Sequence, residues 1–363
     1  MPPVSPTKPP LTELAFTTNP GLEELACAEF GERLAEHGLD PAALEHLPSG
    51  FTGWARVRHP APLERLLEPA RAMRSIHHIL RPVATFELPE EAPLEALEAQ
   101  LRALPLPELE EAPPFRVTSQ RTGTHPFTSH DLQREAGAVL VERFGAPVDL
   151  EGFAVNVRVD VNGSQCAVAM QLTRRALSNR YERAGNPRVA LRANVAYACL
   201  RLARLEEANG RLLDPFCGSG TVLIEAGHLL PGWELHGSDW SARAVDGARE
   251  NLTRLGLEER AHLEQADARH LAERYPAGFF DAIVTNPPYG MRIGRGIQFL
   301  PFYLDLLRQA GAVLRPGGRL VVLVHQRPAF NDALRQLGGF RIRHVQVVET
   351  SNLYPGVFVL ERL

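Results

Sequence analysis

Lysine is almost missing from this chain. Lys8 is the only one in 363 residues, so arginine carries nearly all of the positive charge. With 39 basic and 43 acidic residues the formal net charge is −4, and no global cationic field advertises a polyanionic partner. Arginine forks grip phosphate bidentately, but a GC-biased genome enriches arginine as well, so composition leaves both origins open. Cysteine is sparse: Cys27, Cys166, Cys199 and Cys217 lie far apart with no C-x-x-C pair. That spacing argues against a zinc site and a disulfide framework, and for a reducing compartment. Long apolar runs are missing too: no stretch nears the roughly 20 residues of a membrane span. The proline-rich start, Met1 to Pro10, has no signal-peptide core. The expectation is a cytoplasmic protein that carries no metal, long enough for two or three domains.

What is present divides into three zones. Residues 11–70 read as a small α+β unit, with a helix over 22–38 and a strand-like run over 50–58. Residues 87–114 are acidic, eight carboxylates against Arg102 alone, with an exposed helix over 94–104. Residues 115–192 reverse the sign, with eleven arginines against seven carboxylates. There the order is a strand (115–120), a polar loop containing Arg121, His125, Phe127 and His130, a helix (131–144) and a strand (153–160); Arg121, His125 and His130 are candidate RNA contacts. Asn162-Gly163 then turns a tight hairpin into 165–172. A small basic α+β module suits an RNA grip, because phosphate neutralisation supplies most non-specific affinity. From 189 onward a helix (189–208) leads into alternating strands and helices, the pattern of a parallel sheet covered on both faces. Strands are expected over 212–216, 234–239, 262–266, 282–285 and 318–325, with helices over 242–255 and 303–314. A hairpin of 341–349 and 357–360 closes the sheet.

Two strand ends carry the chemistry. Arg211-Leu-Leu-Asp214-Pro-Phe216-Cys-Gly218-Ser-Gly220-Thr221 ends a strand in a glycine loop, where backbone N–H groups approach a charged ligand. The run lacks the third glycine of G-x-G-x-x-G, which weakens a nicotinamide-dinucleotide reading. Asp239, about twenty positions on, suits ribose hydroxyls, and Asp267 ends the next strand. Each Asp alone also suits helix N-capping. Three in series, with Asn286 closing a fourth strand, fit S-adenosyl-L-methionine (AdoMet) better than a nicotinamide. Asn286-Pro287-Pro288-Tyr289 places two acceptors, the Asn286 amide oxygen and the Pro287 carbonyl, where they hold both protons of a planar amine. The prolines fix the backbone and remove competing donors, and Tyr289 offers a stacking face to an extruded base. The reaction expected is methyl transfer to an exocyclic or amide nitrogen, with Asn286, Pro287 and Tyr289 as catalytic residues.

These motifs resemble those of the Rossmann-like amino-methyltransferases. The resemblance implies that Asp214, Phe216, Gly218, Gly220 and Thr221 surround the methionine moiety and that Asp239 holds the ribose. It also implies that Asp267 meets the adenine amine, that Trp240 and Ala268 flank the ring, and that Asn194 and Asn286 lie beside the cofactor. Phe115-Arg116-Val117, the Arg121 to His125 loop, Gly137 and Val148-Asp149-Leu150 resemble the THUMP RNA-binding domain. The run Arg71 to Leu80 is similar to the segment that joins THUMP to an N-terminal ferredoxin-like domain. The whole order resembles the THUMP-bearing tRNA guanosine N2-methyltransferases. It implies a ferredoxin-like domain (1–70), a THUMP domain (71–180) and an α/β, Rossmann-like class I methyltransferase domain with a mostly parallel seven-stranded sheet (181–363). One branch of that family modifies the acceptor-stem guanosine at position 6 of tRNA; a sister group acts on ribosomal RNA.

Arg174, Arg175, Arg180, Arg183 and Arg188 crowd the stretch between the halves. A solvated linker or an RNA-facing ramp fits them. Arg292 and Arg295 follow Tyr289 in a glycine-bearing loop and are candidates for target phosphates. The partner expected is tRNA. A ribosomal RNA guanine-N2 methyltransferase, a DNA adenine or protein glutamine methyltransferase, and a non-catalytic RNA-binding protein remain the alternatives. The first differs only in substrate, the next two need no THUMP, and the last is opposed by the intact Asp214, Gly218, Gly220, Asp239, Asp267 and Asn286.

Overall fold

The computed structural model describes residues 11–48, 50–182, 190–289, 296–351 and 353–363, which fall into two compact units divided between Leu177 and Ser178. The first unit is built on one sheet. Its elements are β1 (Thr12–Thr17), α1 (Glu23–Glu36), β2 (Glu45–Leu47), β3 (Trp54–His59), α2 (Leu63–Arg71), β4 (His78–Glu87) and α3 (Pro93–Ala103). They continue with β5 (Phe115–Thr118), β6 (Arg121–Thr122), α4 (Ser129–Phe144), β7 (Val155–Asn162) and β8 (Gln165–Gln171). The strand order is β2-β3-β1-β4-β8-β7-β5, with β6 also on β7.

Among the described residues, two hydrophobic cores join helices to this sheet, and a smaller cluster of Ala15, Phe51, Trp54, Leu80, Ala167 and Ala169 packs on its strands. Leu14, Phe16, Phe30, Leu34, Val57, Leu66 and Ile79 join α1 and α2 to the strands of the first zone. Leu97, Leu101, Phe115, Leu132, Leu140, Val157 and Val168 do the same for α3 and α4. Strand β4 bridges them, pairing with β1 on one side and β8 on the other. The sequence-based joining segment, Arg71 to Leu80, overlaps only the first three residues of this strand, which carries Pro82 in its interior. The strand tolerates the proline at a register shift between Pro82 and Ala84, where a ladder N–H is dispensable. Asp160 stitches the two zones further: its carboxylate accepts from Trp54 Nε1 at 2.9 Å and from the Gln120 amide at 2.8 Å. Helix α4 starts two residues earlier than expected, at a capping box between Thr128 and Asp131.

The second unit opens with α5 (Ala193–Ala203), which ends sooner than the expected 208, at Arg204 in a left-handed turn (φ 51°). Then follow β9 (Gly210–Asp214), α6 (Thr221–Leu229), β10 (Trp233–Asp239), α7 (Ala242–Arg254), β11 (Ala261–Gln265), α8 (Leu271–Arg274) and β12 (Phe280–Thr285). The last elements are α9 (Phe299–Val313), β13 (Leu314–Val324), α10 (Arg327–Leu337), β14 (Phe340–Val347) and β15 (Gly356–Arg362). The sheet order is β11-β10-β9-β12-β13-β15-β14. Six of its seven strands point the same way, and β15 inserts antiparallel between β13 and β14. The chain order reverses at β9, so the crevice between the carboxyl ends of β9 and β12 is where such a sheet receives ligands. No helix among the described residues is long and apolar enough to cross a membrane, and all four cysteines are free and buried.

Candidate active site

The β9 end is built around a carboxylate. Asp214 is 2 % exposed, and the described residues give it no cationic partner. Thr285 Oγ1, at the end of the neighbouring β12, donates to its Oδ1 at 2.7 Å, and the Phe216 amide donates at 3.2 Å. Burial outweighs both bonds and pushes its pKa from 3.8 up to about 7. Gly218 (φ 51°) and Gly220 (φ 82°) turn the loop into α6, with Thr221 as the first helical residue. A Cβ at Gly218 would meet nothing within 4 Å, so that side of the loop is open. At Gly220 a Cβ would stand 3.3 Å from Ala248, so this glycine also serves loop-to-helix packing. Ser219 Oγ, buried in the loop, has no partner among the described residues.

Asp239 ends β10 half-buried and ties two loops together. Its Oδ2 accepts from the Gly218 amide at 3.1 Å and its Oδ1 from the Ser241 amide at 3.0 Å. Each oxygen keeps a lone pair for a hydroxyl. Trp240, next in the chain, is 74 % exposed, an unusual cost for a free indole and a ready cover for a planar ring. Ala268 is buried at the corresponding place after β11. Asp267 is less available than expected. It caps the short turn 268–270 through the Arg269 amide at 2.9 Å, and the Arg269 guanidinium spans both of its oxygens. That pairing also holds its carboxyl below the usual range.

At the β12 end, Pro287 is buried and Asn286, Pro288 and Tyr289 are half-buried. The Tyr289 hydroxyl donates to Asn286 Oδ1 at 2.6 Å, which orients the carboxamide and leaves its second lone pair open. The Tyr289 ring stacks on His325 with centroids 5.6 Å apart and planes 28° from parallel. Burial raises the Tyr289 pKa, so the hydroxyl stays a donor. His325 and Thr285 escaped the sequence reading. His325 follows directly on β13, the fifth strand, and the rule that strand ends carry ligands extends to it. Asn194 lies fully buried in the first turn of α5.

The arginines and histidines of the RNA readings differ among themselves. Arg121 Nη1 meets the Gly123 carbonyl at 3.1 Å and His125 Nδ1 at 3.0 Å, and His125 Nε2 meets the Gly163 carbonyl at 2.7 Å. Arg121 therefore braces its own loop, and His125 ties that loop to the Asn162-Gly163 turn; His130 is exposed. Arg174 and Arg175 are exposed, Arg174 donating to the Glu151 carbonyl. Arg180 is not presented as a free surface cation. Its Nε lies 3.0 Å from Oε1 of the fully buried Glu225, a charge that needs a cation beside it. Arg183, Arg188, Arg292 and Arg295 lie outside the described residues.

The residues fit AdoMet on three observations: a buried Asp214 without a cation, an orphaned Ser219 hydroxyl in the loop, and open space over Gly218. Residues 180–355 match the family described as RMKL-like, methyltransferase domain, and residues 91–171 match the THUMP domain. The chain is 41 % identical over 355 residues to the tRNA (guanine(6)-N2)-methyltransferase of Thermus thermophilus, covering 96 % of this chain and 99 % of that protein. The enzyme of the same name from Archaeoglobus fulgidus is 28 % identical, covering 68 % of this chain and 69 % of its own length. The crystal structure of TrmN from Thermus thermophilus superposes with a TM-score of 0.75 at 39 % identity, over 98 % of this chain and all of that one. The chain belongs to the family of THUMP-bearing, AdoMet-dependent tRNA guanosine N2-methyltransferases.

Proposed function

We propose that this enzyme forms N2-methylguanosine at position 6 in the acceptor stem of tRNA, in the cytoplasm. The observation that carries the reading is the adjacency of the two strand ends. β9 and β12 are parallel neighbours, and Thr285 hydrogen-bonds Asp214, so the cofactor loop and Asn286-Pro-Pro-Tyr open into one crevice. Position 6 is supported by the relatives from Thermus and Archaeoglobus, whose names specify guanine 6. AdoMet, when bound, supplies an electrophilic methyl group. Asp214, the Gly218 to Thr221 loop, Asp239 and Trp240 would hold it, with Phe216, Asn194, Ala268 and Asp267 around them. Asp214 would pair with its cationic amine and Asp239 with its ribose hydroxyls.

The chain's own contribution to the reaction is orientation. A guanine N2 amine is a poor nucleophile because its lone pair is delocalised into the ring. Asn286 Oδ1, held by Tyr289, and the Pro287 carbonyl accept its two protons and localise that lone pair. The base leaves its stack and lies against the Tyr289 face opposite His325. Residues 71–180 act as the RNA grip, with 1–70 as its support and 181–363 as the catalytic domain; of the described arginines singled out for RNA, Arg174 and Arg175 are the exposed ones. Asn286→Ala tests the reading. Turnover is expected to fall roughly a hundredfold or more, the scale of losing one preorganised hydrogen-bonding group at a reacting centre. AdoMet and tRNA affinities should stay within a few fold. A variant that keeps its kcat removes Asn286 from the mechanism.

A further inference from the structure

Three potential metal ligands converge on the first half of β10 and its edge neighbour β11. Glu234 and His236 are two residues apart on β10 and so face the same side. His262 is the register partner of His236 on β11. Their donor atoms all lie within 4.8 Å of one another. His236 is 8 % exposed, and its Nε2 is buried without a hydrogen-bond partner among the described residues, 3.8 Å from Glu234 Oε2. Tyr275, Phe279 and Phe280 meet the His236 ring edge-on, at 6.0, 5.6 and 5.1 Å between centroids. The His262 ring stacks against it at 4.7 Å. An imidazole nitrogen buried among aromatic rings is costly to leave unpaired, and a ligand would satisfy it.

We propose that Glu234, His236 and His262 form a binding site for a borderline divalent transition ion such as Zn2+. Two imidazole nitrogens and one carboxylate are the donor set such ions select, whereas Mg2+ and Ca2+ prefer oxygen alone. His236 is the fixed anchor. Glu234 and His262 are exposed and turn inward to reach the roughly 3.4 Å ligand spacing that zinc–nitrogen bonds of about 2.0–2.1 Å impose. Arg211 Nε now donates to Glu234 Oε2 at 3.1 Å, and its guanidinium lies 4.4 Å above the Phe279 ring. Oε2, the oxygen facing His236 Nε2, coordinates once that bond is released, and Arg211 stays on the ring. A cavity of about 620 Å³, lined by His236, His262, Glu264, Arg274 and Tyr275, leaves room for water in the open coordination positions. Asp239 ends the same strand three residues past His236, so the ion would sit apart from the cofactor loop and clamp the edge strand β11 to the sheet. Cysteine spacing gave no hint of this site, because no cysteine takes part.

The test uses the untagged, metal-free full chain titrated with Co2+ followed by Zn2+. The expected result is a single equivalent of Co2+ with visible absorption, displacement by Zn2+, and a higher Tm with Zn2+. His262→Ala changes an exposed residue, so it keeps the fold and should weaken both ions about tenfold or more. Glu234→Gln should weaken them in the same direction. Absence of a stoichiometric Co2+ complex, or an affinity unchanged in His262→Ala, would overturn the site.

Discussion

Replacing Asp214 with Asn removes a carboxylate whose pKa burial pushes from 3.8 up to about 7, with the nearby Asp239 adding in the same direction. A raised acid pKa means that the folded chain holds a proton the unfolded chain has already lost. Stability therefore falls as pH rises from about 4 to about 7, and the full cost is present above 7. At about 1.4 kcal/mol per pH unit, the rise from 3.8 to about 7 puts that cost on the order of 4 kcal/mol. Asn keeps the acceptor that Thr285 and the Phe216 amide use, so the variant loses the penalty and little else. By chemical denaturation of cofactor-free protein, Asp214→Asn should be more stable than the wild type at pH 8. That advantage should shrink by about 2–3 kcal/mol at pH 5. AdoMet binding should show the reverse preference. Its cationic amine favours ionised Asp214, so wild-type affinity should rise from pH 6 to pH 8 with release of a proton. The variant should bind weakly at both. An Asp214→Asn protein no more stable than wild type at pH 8, or a wild-type affinity flat across that range, would overturn this role for Asp214.

Asp239→Ala should weaken AdoMet by about 1.5–3 kcal/mol, the worth of hydrogen bonds to a charged acceptor, without changing tRNA affinity; calorimetry with each ligand checks both halves. Tyr289→Phe frees the Asn286 carboxamide and should lower kcat a few fold, while Tyr289→Ala should respond more strongly than wild type to a mismatch at the target pair, because unstacking then lacks its offset. An equal mismatch response would remove Tyr289 from base capture. The fragment Ser178–Leu363, a compact unit, should bind AdoMet but lose tRNA binding and methylation, as filter binding at two salt concentrations will show. Undiminished methylation by that fragment would place the RNA grip elsewhere.

The catalytic half was legible because its information is local. Each strand is a short apolar run, and each ends in a polar residue whose type points to what it binds. Asp214, Asp239 and Asn286 accordingly stand at the ends of β9, β10 and β12, as the motifs require. Asp267 shows where such reading thins, because the same Asp both caps a turn and meets Arg269, and sequence does not rank those partners against an adenine. Strand β4 was not anticipated: only its first residues fell in the joining segment 71–80, and its Pro82 is accommodated by a register shift formed with β8 in the folded sheet. Arg180 looked like a surface cation because its partner, Glu225, lies 45 residues away and is buried only in the folded unit. The Tyr289–His325 stack and the Glu234–His236–His262 group depend on strand neighbours, which periodicity alone does not assign.

Methylation of guanosine 6 at N2 by the crevice between β9 and β12 is open to a direct measurement. The enzyme is incubated with unmodified tRNA transcript and methyl-labelled AdoMet, and the labelled nucleoside is then mapped. N2-methylguanosine should appear at position 6, with no label when that guanosine is replaced by adenosine. Label at another tRNA position, on adenine, or only in ribosomal RNA would contradict the assignment.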